Sequence, residues 1–170
     1  MQHKINSVRA LMKDNSIDLL VLGPGTHLRW LLGFSPPQDE RPSMLLIGKE
    51  KEIFLIPSVN AEDVRRKTDI KITVWKDESG PDQALKEALL YIDESSAKHI
   101  AIDEAMRAHF ALIAIDALPN PTHEFTGSTI GALRMRKDQT EFINLKENAL
   151  IDDRAMKAGF AAIKEGVTEL

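Results

Sequence analysis

The 170-residue chain contains no cysteine, which excludes disulfides, thiolate nucleophiles and any zinc site built on Cys. Aromatic residues make up only 5% of it, and no basic stripe interleaves with them. Lys and Arg number 22 against 26 Asp and Glu, a formal net charge of -4, so the electrostatic footprint of a nucleic-acid binder is missing. Long hydrophobic runs are absent as well. Ile17 to Leu22 and Met44 to Ile47 fall far short of the ~20 residues that span a bilayer. His3, Lys4, Asn6 and Arg9 interrupt the N-terminal apolar residues, unlike a signal peptide. A cytoplasmic protein is expected, with neither nucleic acid nor membrane as partner.

What is present fits a globular domain: 43% hydrophobic and 28% charged residues, enough for a packed core and too apolar for disorder. Ile5, Val8, Leu11 and Met12 recur at helical spacing, so residues 2–15 are predicted to form an amphipathic helix. Ile17 to Leu22 is a short apolar run closed by Gly23-Pro24-Gly25, the pattern of a strand buried on both faces. Ser43 to Ile47 and Glu52 to Ile56 predict an antiparallel pair across a charged turn. A helix over 59–67 leads to Ile70 to Trp75, whose alternation suits an edge strand. Gly80-Pro81 opens a helix with Ala84, Leu85, Ala88, Leu89 and Ile92 as its buried stripe, ending near Ser95-Ser96. His99 to Asp103 and Thr122 to Phe125 complete the strands, with a helix over 108–118 between them. The alternation predicts an α/β fold: a mixed sheet with helices on both faces.

From Asp138 onward a single long helix is expected, with Asp138 and Glu141 in the places of a capping box. Phe142, Ala149, Met156 and Ile163 stand seven residues apart, and Leu145 and Phe160 widen the stripe. Such a stripe needs an apolar partner, and the chain reaches Val167-Thr168-Glu169-Leu170 without a closing cap. A helix that receives a following domain would have this form. The expected division is therefore 1–133 as one domain and 134–170 as a linker plus the first helix of a further one.

Few residues announce chemistry. His3, His27, His99, His109 and His123 include no pair at the i, i+4 spacing of a helical metal site, and each reads as a surface or turn residue. Gly23-Pro24-Gly25 lacks the third glycine of a dinucleotide fingerprint, since Leu28 stands there, and proline removes an N–H that would hold a phosphate. Gly127-Ser128-Thr129-Ile130-Gly131 is no nucleophile elbow, because its central residue is Thr129. Asp103-Glu104 follows a strand end and reads as helix-start chemistry, with a functional role as the alternative. In the segment Gly33 to Pro42, Pro36 and Pro37 add stiffness, Phe34 offers an aromatic face beside Trp30, and Asp39, Glu40 and Arg41 add charge. That composition suits a rigid recognition loop, a polar connector being the plainer possibility.

Several segments together resemble the N-terminal domain of the creatinase, prolidase and Xaa-Pro aminopeptidase family, the pita-bread metallopeptidases. Thr26 to Phe34 is similar to the family's Asn-Ile-x-Tyr-Leu-x-Gly-Phe, with His27 for Asn and Trp30 for Tyr, and Arg41 matches the arginine that follows. Leu133 to Phe142 resembles the family's Leu-Arg-x-x-Lys-x-x-x-Glu-Ile junction. Ala149, Asp152, Lys164, Glu165, Gly166 and Thr168-Glu169 resemble the first helix of the catalytic domain. The resemblance, most like a Xaa-Pro dipeptidase, implies a six-stranded mixed sheet followed by a larger domain. That domain holds a pair of divalent ions, Mn, Co or Zn, on two Asp, one His and two Glu, none of them in this chain. It further implies no catalytic residue here, a homodimer, and a proline-containing dipeptide or peptide as substrate. His27, Trp30, Phe34, Asp39 and Arg41 would line the substrate through a loop over the partner's active site. A creatinase-like hydrolase, a stand-alone dimerisation module and an α/β ligand-binding domain are the alternative expectations.

Overall fold

The computed structural model describes residues 2–168 and divides the chain into two compact units, Met1–Arg134 and Met135–Leu170. In the first unit, helix α1 (Gln2–Asp14) precedes strand β1 (Leu19–Leu22), helix α2 (Thr26–Leu32), and the hairpin of β2 (Met44–Ile47) and β3 (Glu52–Pro57). Helix α3 (Ser58–Arg65), strand β4 (Ile72–Trp75), helix α4 (Asp82–Tyr91), strand β5 (His99–Ile102), helix α5 (Ala108–Asp116) and strand β6 (Thr122–Phe125) follow, and helix α6 (Ile130–Met135) comes last. The six strands form one sheet in the order β4-β3-β2-β1-β5-β6. β2 runs antiparallel to both its neighbours and the other strands run parallel, giving the expected mixed sheet with helices on both faces.

Alternation along each central strand sends its side chains to two cores. Leu19, Val21, Leu46 and Leu55 face α4 and α5 through Leu85, Ala88, Leu89 and Phe110. Leu20, Leu22, Leu45 and Phe54 face α1, α2 and α3 through Ile5, Val8, Leu28 and Val64. Both faces of β1 are fully buried, which is why its sequence is a continuous apolar run rather than an alternating one. Burying each such Leu, Ile or Phe contributes roughly 1.5 to 3 kcal/mol. β6 closes one edge and is largely exposed; β4 closes the other and is half-buried up to Trp75.

Several boundaries differ from those expected. Strand β1 begins at Leu19, not Ile17; just before it the Asp18 N–H donates to His99 O of the neighbouring strand, and the Asp18 carboxylate accepts from the N–H groups of Lys98 and His99. Helix α4 ends at Tyr91 rather than near Ser95, as Asp93 takes a positive φ of 62° and Ile92 finishes the buried stripe. Pro81 stands at the N-cap of α4, one place before its first helical residue.

The second unit is built on helix α7 (Gln139–Ala162), which opens with the expected capping box: Glu141 N–H donates to the Asp138 carboxylate at 2.8 Å, and Asp138 N–H donates to Glu141 Oε2 at 3.1 Å. Ile163 lies beyond the helix in extended conformation, so the apolar stripe of Phe142, Ala149 and Met156 ends at Phe160. A lone helix has no core, and none of its residues is buried. Of the segment compared with the catalytic domain's first helix, Lys164 to Thr168 lies past α7, while Glu169 and Leu170 fall outside the described residues.

Candidate functional site

Five of the six strands run parallel, so their carboxyl ends gather along one side of the sheet. The chain leaves β1 toward β2, β3 and β4, then crosses back to place β5 on the other flank of β1. That reversal is a topological switch point, where open α/β sheets leave a crevice beyond the strand ends. Gly23 and Asp103 follow the two flanking strands, and their turns approach closely. A Cβ on Gly23 would stand 2.6 Å from Met106 Cβ, closer than side chains tolerate.

At this point α2 delivers His27, buried to 5% exposure, against Asp103, Glu104 and Thr126. His27 Nε2 lies 3.1 Å from Thr126 Oγ1, 3.3 Å from Glu104 Oε1 and 3.9 Å from Asp103 Oδ1. Thr126 Oγ1 donates to Glu104 Oε2 at 2.5 Å. On the ring's other side Arg134 Nη1 donates to His27 Nδ1 at 2.8 Å and to Thr26 Oγ1 at 3.0 Å. Burial pushes the Asp103 carboxyl above the usual range, despite the N–H groups of Ala105 and Gly23 and the nearby His27, which draw it down. Burial also raises Glu104, but hydrogen bonds from Thr126, from its own backbone N–H and from His27 outweigh it and leave that carboxyl below its ordinary value.

His27, Asp103 and Glu104 bring three ligand atoms within 4.8 Å of one another. The hydrogen-bond polarity does not fit a metal ion. A ligating histidine normally donates its second ring N–H to a carboxylate or carbonyl. Here the second nitrogen accepts from a guanidinium, which leaves the proton on Nε2, where the ion would sit.

The segment Gly33 to Pro42 lies along the same side of the sheet and is pinned throughout its length. Gly33, at φ 84°, ends α2 with its N–H on Arg29 O. Gly25 N–H donates to Ser35 Oγ at 2.9 Å and Gln38 Nε2 donates to Pro24 O at 2.5 Å. Arg107 Nη1 donates to Asp39 O and Trp75 Nε1 donates to Pro42 O at 2.8 Å. Between this segment and α2 runs an open groove of about 560 Å³, lined by Thr26, Arg29, Pro36, Pro37, Gln38 and Lys67.

The five residues expected to line a substrate are therefore distributed over three places. His27 belongs to the buried cluster. Trp30 and Phe34 pack against the α1 side of the sheet, with Lys4 Nζ 4.2 Å above the Trp30 ring and Phe34 tilted on Phe54 at 6.2 Å. Asp39 and Arg41 belong to the loop. Asp39 Oδ1 accepts the Arg41 N–H, and the Arg41 guanidinium grips Asp77 with Nε and Nη2, holding that carboxyl below its ordinary value. Thr126 and Arg134 carried no signal as members of a cluster. Only the pairing of β5 with β6 and the turn into α6 bring them beside His27.

The model of the Creatinase/Prolidase N-terminal domain family matches residues 4–136. A Xaa-Pro dipeptidase of Lactobacillus delbrueckii subsp. lactis is 22% identical over 178 aligned residues, covering 97% of this chain and 46% of its own. Among solved structures, a dipeptidase from Pyrococcus horikoshii OT3 superposes with a TM-score of 0.86 at 26% identity, covering 98% of this chain and 46% of that one. A prolidase from Thermococcus sibiricus gives 0.83 at 20% identity over 99% of this chain and 46% of its own. The chain thus spans about half the length of these relatives.

Proposed function

The chain belongs to the creatinase/prolidase N-terminal domain family, and from that membership we propose that it is the non-catalytic domain of a cytoplasmic, metal-dependent Xaa-Pro dipeptidase or aminopeptidase. The cleavage chemistry then resides in a catalytic domain that holds two divalent ions, Mn, Co or Zn, and that corresponds to the remaining half of the relatives' length. Residues 1–133 act as the N-terminal domain, and 134–170 as the linker and first helix leading into the catalytic one. In a homodimer, the loop from Phe34 to Arg41 forms a roof over the partner's active site and limits substrate length to a proline-containing dipeptide or short peptide.

The observation that carries this role is the loop's construction. Hydrogen bonds from Gln38, Arg107 and Trp75 hold it in one shape, and a roof that selects by length has to be rigid, since a mobile one would yield to longer peptides. Its charges suit a dipeptide's ends, Asp39 the ammonium and Arg41 the carboxylate. Because Arg41 already grips Asp77, binding a terminus means exchanging or sharing that partner. In the full-length enzyme, Asp39→Ala and Arg41→Ala are each expected to raise KM for a Xaa-Pro dipeptide about tenfold, the worth of one charge-assisted hydrogen bond. Unchanged kinetics in both variants would remove the roof.

A further inference from the structure

Strand β6 ends the sheet with an open edge. Thr122 N–H donates to Lys98 O at 2.8 Å, so the backbone of Thr122, and by alternation that of Glu124, is turned toward β5. The N–H and C=O of His123 and the N–H of Phe125 then point out of the sheet, where among the described residues no further strand pairs with them. Phe125 C=O is already engaged: Phe125 is the N-cap of the 3-10 turn Thr126–Ser128, and its carbonyl accepts that turn's first hydrogen bond. Pro121, just before the strand, brings an outward C=O but no N–H.

The side chains add a second feature. The parallel register sets His123 beside Ile100 and Phe125 beside Ile102, on the face that α4 and α5 cover elsewhere. At this margin the cover stops, and Phe125 is 67% exposed. Glu124 points to the other face, where Ser128 donates to it and His99 Nε2 lies 3.4 Å away. The opposite edge, β4, is flanked by Lys71 and Lys76, residues of the kind that keep edges from pairing, whereas β6 carries no lysine. We propose that β6 is a docking edge for the β6 of a second copy of this chain, the two strands running antiparallel about a two-fold axis at His123. In that register each His123 exchanges both backbone hydrogen bonds with its counterpart, and each Phe125 N–H meets the Pro121 C=O of the other copy. The missing Pro121 N–H falls opposite the Phe125 C=O that needs no donor, which favours a second copy over an unrelated strand. Each Phe125 ring lies against Pro121 of the other copy, and Glu124 stands opposite Thr122, so no like charges face each other. The edge is thus self-complementary, as a two-fold interface requires. The pairing uses the first unit alone and rests neither on the peptidase reading nor on the roof.

The chain has no cysteine, so His123→Cys introduces a single thiol at the axis. Facing residues of a hydrogen-bonded antiparallel pair stand about 5.5 Å apart at Cα, within the roughly 4.4 to 6.8 Å that a disulfide spans. Two copies of Thr122 would be about 8 Å apart, beyond that reach. Under mild oxidation at micromolar concentration, His123→Cys is expected to form a covalent dimer about tenfold faster than Thr122→Cys, because the pairing holds its thiols at high effective concentration. Sedimentation velocity of the unmodified 170-residue chain is expected to show a concentration-dependent dimer, and Phe125→Asp to raise its Kd about tenfold. A chain that stays monomeric throughout the micromolar range, or equal cross-linking of the two cysteine variants, overturns the pairing. An undiminished dimer of Phe125→Asp does so too, and is the result that association through the exposed stripe of α7 would give. His123 and Thr122 are both exposed, so neither cysteine disturbs a core. If Phe125→Asp fails to fold, the cysteine pair decides.

Discussion

Asp103 shows how a single position sets a pH dependence. Its buried carboxyl has a raised pKa in the folded state, so the folded chain binds the proton more readily than the unfolded one. The charged form therefore weakens the fold above the folded pKa, and that penalty disappears as the pH falls below the unfolded value. Asp103→Asn keeps the oxygen that accepts the Ala105 N–H at 2.9 Å and deletes the charge. The variant is expected to melt above the wild type at neutral pH, with the difference closing toward about pH 4, the ordinary range of an aspartate. A melting temperature below wild type at neutral pH would contradict it. Asp18 has the opposite sign: despite partial burial, Lys49 and the N–H groups of Lys98 and His99 lower its pKa, so its contribution is lost as the pH falls through that folded value. Neither direction was legible in the sequence, because burial sets the one and partners such as Lys98, 80 residues from Asp18, help to set the other.

Elements were more legible, and unevenly so. Contiguous apolar runs announced β1, β2 and β3, since a strand covered on both faces has no polar position to spare. The long-range hydrogen bonds of Asp18 to the start of β5 have no local signature. Helix α7 illustrates the strongest local signal. Its capping box involves residues three apart and satisfies two N–H groups that the helix leaves unpaired. Asp138→Ala is expected to weaken the first turn of α7 by about 1 kcal/mol, a roughly fivefold acceleration of amide exchange there. Exchange unchanged at residues 139–142 would show that the cap contributes nothing. The heptad count ran one residue too far at Ile163, because apolar spacing continues past Ala162 while the backbone turns extended.

For the whole molecule, the net charge is -4, cysteine is absent, and among the described residues no helix is long and apolar enough to cross a membrane. The family match over residues 4–136 adds the family, and the chain spans about half the length of its relatives. With the polarity around His27 set against an ion, calorimetric titration of the 170-residue chain with Mn, Co or Zn is expected to show no stoichiometric binding at micromolar concentration. Saturable one-to-one binding of any of them would mean that Arg134 leaves the ring and that His27, Asp103 and Glu104 close on the metal.

The periodicity of apolar residues was enough to establish a mixed α/β sheet with helices on both faces and a capped terminal helix, because period and capping are properties of neighbours in the chain. It also singled out Gly33 to Pro42, where the stiffness of Pro36 and Pro37 is local. The cluster at His27 was beyond its reach. His27, Asp103, Thr126 and Arg134 are spread over 108 positions, and none follows another at a spacing that a helix or strand would bring together. Their meeting follows from parallel strands ending on one side of the sheet with β1 and β5 side by side at the switch point, and strand order is settled by packing over the whole unit.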